Sequence, residues 1–186
     1  MQKRQPRSLK SRALQLLAQR DQSRLELRRK LLRHARAAAA GEGDGGASDS
    51  GEGDADARAV SAGDEVEALL DWLEANRFLC QSRFVESRVH AREARFGNSR
   101  IRSELAQHAL ALPGALAKDL DESEWARAAA VRARRFAAAP GDASERARQS
   151  RFLLGRGFSP ELVQRLMREL CRPGADAAAS ARAEPG

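Results

Sequence analysis

Residues 146–170 read RARQSRFLLGRGFSPELVQRLMREL. This stretch decides the fold, because it holds two helix signals and the turn between them. Immediately upstream, Asp142, Ala143, Ser144 and Glu145 form a D-x-x-E capping box that starts the first helix. Gly155 and Gly157 end it, and Phe158 anchors the turn. Ser159 as N-cap and Pro160 at the first helical position restart the chain. Leu162, Val163, Leu166 and Leu170 then fall on one apolar stripe.

The composition points the same way. Much of the apolar content is alanine, aromatics are 4% and tyrosine is absent, a balance that favours helices over sheets. No run of alternating β-branched residues suggests a strand. The net charge of +7 is unevenly spread. Residues 1–36 carry 12 Lys/Arg against 2 Asp/Glu, while residues 41–56 carry 6 acids and no base. Such segmental clustering points to a polyanionic or acidic partner, the plainer alternative being a solvated arginine-rich surface. Cys80 and Cys171 cannot make a multi-bridge framework and are expected to stay reduced. The basic N-terminus lacks an apolar continuation, and no segment approaches membrane-spanning length. A cytoplasmic location without membrane contact is expected.

Residues 1–8 are expected to form a disordered basic N-terminus. From Leu9 a helix runs to about Arg20, with Leu9, Ala13 and Leu16 on one face. Ser23 and Glu26 form a second capping box, opening a helix with Leu27 and Leu31 on its apolar side. Residues 37–63 are poor in bulky apolar groups and rich in Gly, Ser and Asp, which predicts a disordered acidic insertion. It is either inert or a polyanion mimic. Asp64 and Glu67 are expected to cap a helix carrying Val66, Leu69, Leu70 and Leu73, with Trp72 off the stripe and Phe78-Leu79 as a buried linker. Ser82 is the expected cap of the next helix, lined by Val85, Val89 and Phe96, with Arg92 intruding on that face. After the Gly97-Asn98 turn, Ile101, Leu105, His108 and Leu112 share a side. Pro113-Gly114 then breaks the chain, a short piece reaches Leu120, and a separate long helix carries Trp125, Ala129, Arg132 and Phe136.

An internal repeat organises these elements. LRRKLLRHA at 27–35 aligns with IRSELAQHA at 101–109, matching Arg28 to Arg102, Leu31 to Leu105 and His34 to His108. A third copy lies 48 residues on, where Leu105 meets Leu153 and His108 meets Arg156. With the insertion discounted, the period is that of a helical repeat array whose neighbours share a core. The expected fold is all-α: three tandem three-helix, helix-turn-helix-like repeats in an elongated, curved array. Repeat 1 would span 9–77 including the insertion, repeat 2 78–120, repeat 3 121–171, and residues 172–186 a disordered tail.

These blocks resemble the RecX family, the regulators of the RecA recombinase. R-x-x-R-F-L-x-x-R-G-F at 148–158 is similar to that family's third-repeat signature. Ser23 to Leu31, Val66 to Glu74, Arg83 to Arg88 and Arg95 to Leu105 resemble its earlier blocks in the same order. There are departures. Cys80-Gln81 stand where two acids are usual, His108-Ala109-Leu110 replaces a Lys-Gly-Ile turn, and the insertion has no counterpart. The resemblance implies a cytoplasmic modulator that binds RecA and RecA–DNA filaments and restrains filament growth, ATPase, strand exchange and co-protease activity.

No phosphate loop, H-E-x-x-H, C-x-x-C or G-x-S-x-G motif is present, so neither catalysis nor a cofactor nor a metal is expected. His34, His90 and His108 read as structural, and Cys80 as a buried thiol. The arginines carry the chemistry, since guanidinium forks suit phosphates and carboxylates alike. The candidate contacts are Arg24, Arg28, Arg29, Lys30, Arg88, Arg92, Arg95, Arg100, Arg102, Arg148, Arg151 and Arg156. Arg28 and Arg102 are expected to share an exposed strip. Aromatics look too sparse and too core-spaced for a base-stacking platform. The leading reading is a monomeric RecA-filament regulator with weak direct DNA binding. The alternative is a helical DNA-binding module acting without RecA.

Overall fold

A computed structural model of the chain describes residues 8–41 and 52–172, with side chains placed outside 39–60. The expected basic N-terminus up to residue 7, the centre of the insertion (42–51) and the tail from 173 lie outside the described residues. Every regular element described is an α-helix, and no strand occurs among the described residues. The chain divides into two compact units, Met1–Ser87 and Arg88–Gly186.

The first unit is built on α1 (Leu9–Gln19), α2 (Arg24–Gly41) and α3 (Glu52–Ala75). Ser8 caps α1, its side chain accepting from the Ser11 amide at 3.2 Å, although it was expected to belong to the disordered N-terminus. Ser23 caps α2 as its spacing predicts, accepting from the Glu26 amide at 3.1 Å. The core joins Ala13, Leu16, Leu27, Leu31, Val66, Leu70, Leu73 and Leu79; all but Leu79, which follows α3, come from the apolar stripe of a helix. Gln22 is buried at the α1–α2 corner. Its amide donates to the Leu16 carbonyl at 2.7 Å and accepts from the Lys30 ammonium at 2.9 Å.

The acidic insertion departs from expectation. Residues 37–41 extend α2, and residues 52–63 form the first half of α3. Four consecutive alanines at 37–40 and alanines at 55, 57, 59 and 62 have the highest helix propensity, and the acids at 52, 54 and 56 suit a helix N-terminus. Local propensity therefore outweighs the low bulk of the segment. Asp64 lies inside α3 and does not cap it.

The second unit begins within α4 (Gln81–Glu93) and continues through α5 (Asn98–Ala106), α6 (Gly114–Ala133), α7 (Ala143–Gly155) and α8 (Pro160–Leu170). α4 is capped by Cys80, whose carbonyl accepts from the Phe84 amide at 3.1 Å; the expected cap, Ser82, sits inside the helix. α6 is one continuous helix where two pieces were expected. Ser123 does not start a new helix: its hydroxyl donates back to the Leu120 carbonyl at 3.2 Å, the alternative open to a mid-helix serine. With no Gly or Pro between 115 and 133, nothing breaks the ladder. The anticipated boundary near Leu120 thus falls inside a helix. The face of α6 that is buried runs through Leu120, Glu124, Ala128, Val131 and Arg132, and Phe136 lies beyond its end.

The opening stretch folds as its residues dictate. Asp142 accepts from the Glu145 amide at 2.7 Å, and Ser159 accepts from the Leu162 amide at 3.3 Å with Pro160 beginning α8. Gly157 takes φ +83, and Phe158 is buried. Ala128, Val131, Leu153, Phe158, Val163, Leu166 and Met167 form the core beneath them.

Candidate functional site

In the first unit, most of the predicted contact arginines are already engaged. Arg24 donates to Glu67 and Asp71 at 2.7 Å and to Glu74 at 2.9 Å, and Arg28 donates to Glu67. Burial lowers the affinity of Arg24 for its proton, but the hydrogen bonds of Glu67 and Asp71 and the charge of Glu74 outweigh it, so its pKa is raised. The hydrogen bonds of Arg28 and then Arg24 hold the Glu67 carboxyl below its usual range. Lys30 pairs with Glu26 at 2.8 Å. Arg29 is exposed, with no ion pair among the described residues.

The second unit repeats part of this pattern. Arg102, the partner of Arg28 in the internal repeat, pairs with Asp121 at 2.9 Å. Each of these arginines on the middle helix of its repeat is thus held by an acid on the next helix. They lie in different units. Arg88 and Arg92 share Glu104, at 3.2 and 3.1 Å. Arg148 makes a 3.4 Å pair with Glu145, and Arg151 is exposed with no ion pair among the described residues.

Around Phe96 the arginines converge. The guanidinium carbons of Arg100, Arg92, Arg95 and Arg156 lie 4.8, 5.8, 5.8 and 5.9 Å from its ring centroid. Arg95, Arg100 and Arg156 have no carboxylate partner among the described residues. Beside them opens a cleft of about 570 Å³, lined by Ser99 and Ser103 of α5, its C-cap Gln107, and Leu154 and Gly155 of α7. The ring face attracts each cation, by roughly 0.5–2 kcal/mol. The guanidiniums nonetheless repel one another, and Glu104, the carboxylate that lines the cleft among the described residues, is already taken by Arg92 and by Arg88 outside the cluster. An anion entering the cleft relieves that repulsion. Guanidinium forks bind phosphate or carboxylate oxygens in pairs, and hydroxyl and amide groups in a row add neutral donors.

Two glycines make this convergence possible. The Gly97 amide donates to the Arg156 carbonyl at 3.0 Å, and the Ser99 amide donates to the Gly157 carbonyl at 3.1 Å. A Cβ on Gly97 would stand 2.2 Å from the Gly157 oxygen, so only glycine lets the α7–α8 turn seat on the start of α5. That seating brings Arg156 to Phe96. Beneath it, half-buried Arg127 donates to the carbonyls of Glu93, Phe96 and Leu120 and to the Asn98 side chain. Burial pushes its pKa down. Glu124 accepts from the Asn98 amide at 2.9 Å, and Asp121 accepts from the Asn98 side chain at 2.7 Å.

Sequence reasoning named Arg92, Arg95, Arg100 and Arg156 but not that they meet, and it missed Phe96 as their hub and Arg127 as the support. The only legible signal for the hub was Gly following Phe96, matched by Gly157 before Phe158. Cys80, expected to be a buried thiol, is half-buried; a hydrogen bond with Ser82 at 3.2 Å lowers its pKa. His90 is exposed and pairs with Glu93. Among the described residues no group of His, Cys, Asp and Glu could hold a metal ion, and no helix is long and apolar enough to cross a membrane.

The fold defines a class: an all-α protein built of three-helix units. The comparisons with known proteins agree. Residues 121–167 match the family model described as RecX, third three-helix domain, which begins inside α6 where the third repeat was expected to start. The chain is 44% identical over 176 residues to the Regulatory protein RecX of Ralstonia nicotianae, covering 94% of this chain and 92% of that protein. It is 46% identical over 163 residues to the Regulatory protein RecX of Herbaspirillum seropedicae, covering 87% and 90%. The chain belongs to the RecX family. Its relatives carry the name of regulatory proteins, not of enzymes.

Proposed function

We propose that this protein exerts its RecX-type regulatory role by binding RecA and RecA–DNA filaments in the cytoplasm. In this reading it restrains filament growth and so lowers ATPase, strand exchange and co-protease activity. RecA as the partner follows from the family resemblance. The observation that carries the contact surface is the cluster around Phe96 beside the cleft, where Arg95, Arg100 and Arg156 have no carboxylate partner among the described residues. Filaments present phosphates and acidic side chains, and both suit a guanidinium fork. Arg24, Arg28 and Arg102 are weaker contact candidates than their sequence positions suggest, because acids of the same unit already hold them.

The test is RecA-dependent ATP hydrolysis on single-stranded DNA, with and without the protein. The parent chain is expected to slow it. Arg100→Ala combined with Arg156→Ala should weaken inhibition several-fold with unchanged helicity, and the parent's inhibition should fade as salt rises. A parent chain without effect on hydrolysis sinks the RecA reading. A double variant that inhibits as well as the parent removes the cleft as the contact.

A further inference from the structure

The first unit carries an aromatic pair that the core does not use. Of the three large apolar side chains exposed among the described residues, two are Trp72 and Phe78, 37% and 45% exposed. Their rings stack, with centroids 5.6 Å apart and planes 20° from parallel. The aromatics were expected to be too sparse and too core-spaced for a stacking platform; in the structure Trp72 lies off the apolar stripe of α3 and Phe78 turns outward, while Leu79 enters the core.

The pair is held rigidly. Arg77 takes φ +60 just past the end of α3, and the Phe78 and Leu79 amides donate back to the Leu73 carbonyl at 2.9 and 3.1 Å. This is a left-handed helix cap, so the angle of Phe78 to the helix is set before any ligand arrives. Its surroundings are cationic. The Lys10 ammonium sits 3.7 Å from the Trp72 ring centroid. Lys10 and exposed Arg77 have no acidic partner among the described residues. Arg83 donates to the Phe78 carbonyl at 3.2 Å and is half exposed, its charge met by Asp21 at 2.8 Å. The acids flanking Trp72, Asp71 and Glu74, are drawn away by Arg24.

We propose that Trp72 and Phe78 form a stacking site for a base of single-stranded nucleic acid, with Lys10 and Arg77 serving its phosphates. A flat, preordered aromatic face flanked by Lys10 and Arg77, which have no acidic partner among the described residues, matches the two demands of a single strand, base faces and backbone charge. A duplex keeps its base faces stacked inside, so it does not satisfy the aromatic part. An acidic protein segment satisfies the cations but leaves the ring faces without a planar partner. This site is independent of RecA and of the cleft beside Phe96.

The full chain contains two tryptophans, Trp72 and Trp125, so Trp125→Phe leaves Trp72 as the sole emitter. Titration of that variant with a single-stranded oligothymidylate should quench its fluorescence, and a duplex of equal length should quench it far less. Adding Phe78→Ala should weaken the binding by roughly fivefold or more, while Phe78→Tyr should preserve it. Helicity measured on each variant separates lost binding from lost fold, and Phe78→Leu keeps apolar volume without the ring if alanine unfolds the turn. Unquenched Trp72 while a labelled oligothymidylate binds would overturn the proposal, as would equal quenching by duplex or equal affinity of Phe78→Leu and parent. RecA ATPase inhibition by Phe78→Ala should match the parent, so the two readings fail separately.

Discussion

Gly157 concentrates the residue-scale logic of the chain. Its φ of +83 excludes most side chains, and a Cβ there would lie 2.5 Å from the Arg100 Cβ and 2.7 Å from the Arg100 amide. Gly155, two residues away, has open space and ends a helix. Gly157→Ala should therefore destabilise the fold by about 1–3 kcal/mol, and Gly155→Ala should be neutral or stabilising by a few tenths. Ala109 occupies the position equivalent to Gly157 in the preceding repeat, and it too is left-handed, at φ +57. Placing glycine there relieves the strain of an L-residue, so Ala109→Gly should stabilise by about 1 kcal/mol or less. Urea unfolding of the three variants checks all of this. Equal costs for the two alanine variants would mean that the turn is not held as described.

At the element scale, α2 and α3 are tied by ion pairs over an apolar seam. Glu67 accepts from Arg28 and Arg24, and its pKa lies below the ordinary value of 4.5. Glu26, held by Arg20 and Lys30 against the opposing effect of burial, is lowered as well. A carboxyl with a depressed folded pKa binds protons more weakly in the native state than in the unfolded one. Its contribution is fully present above 4.5 and is lost as pH falls through the lowered folded value. The melting temperature should thus drop as pH is taken from about 5 toward 3, and the drop should be smaller in Glu67→Gln. Identical pH profiles for the two proteins would show that these pairs contribute nothing measurable, as exposed pairs sometimes do.

On the scale of the whole molecule, the repeat is visible in what is buried. Leu31, Leu105 and Leu153 stand at equivalent positions of three copies, and each is 0% exposed. Truncating any one of them leaves a cavity in its repeat's core. Each Leu→Ala change should cost roughly 2–5 kcal/mol in denaturant unfolding. A cost under about 1 kcal/mol at one position would remove that copy from the repeat scheme. The second and third repeats share α6: its Asp121 holds Arg102, and its Ala128 and Val131 join the core of α7 and α8. The division of the chain falls elsewhere, at Ser87 and Arg88, inside α4.

By itself the sequence determined the helical class, the caps at Ser23, Asp142 and Ser159, the left-handed glycine before Phe158 and the leucines that face inward. These depend on neighbours within one or two turns, and a one-dimensional pattern contains such neighbours. It also carried the family resemblance, through the order of short blocks. Three things were decided only in three dimensions. Arg24, Arg28 and Arg102 look like free cations until the next helix brings its acids to them. Arg92, Arg95, Arg100 and Arg156 become a cluster because one glycine turn seats on another 60 residues away in sequence. Trp72 and Phe78 are left outside because the core of the first unit is filled by aliphatic side chains. In each case the deciding term is a contact or a charge between segments distant along the chain, and no local periodicity records it.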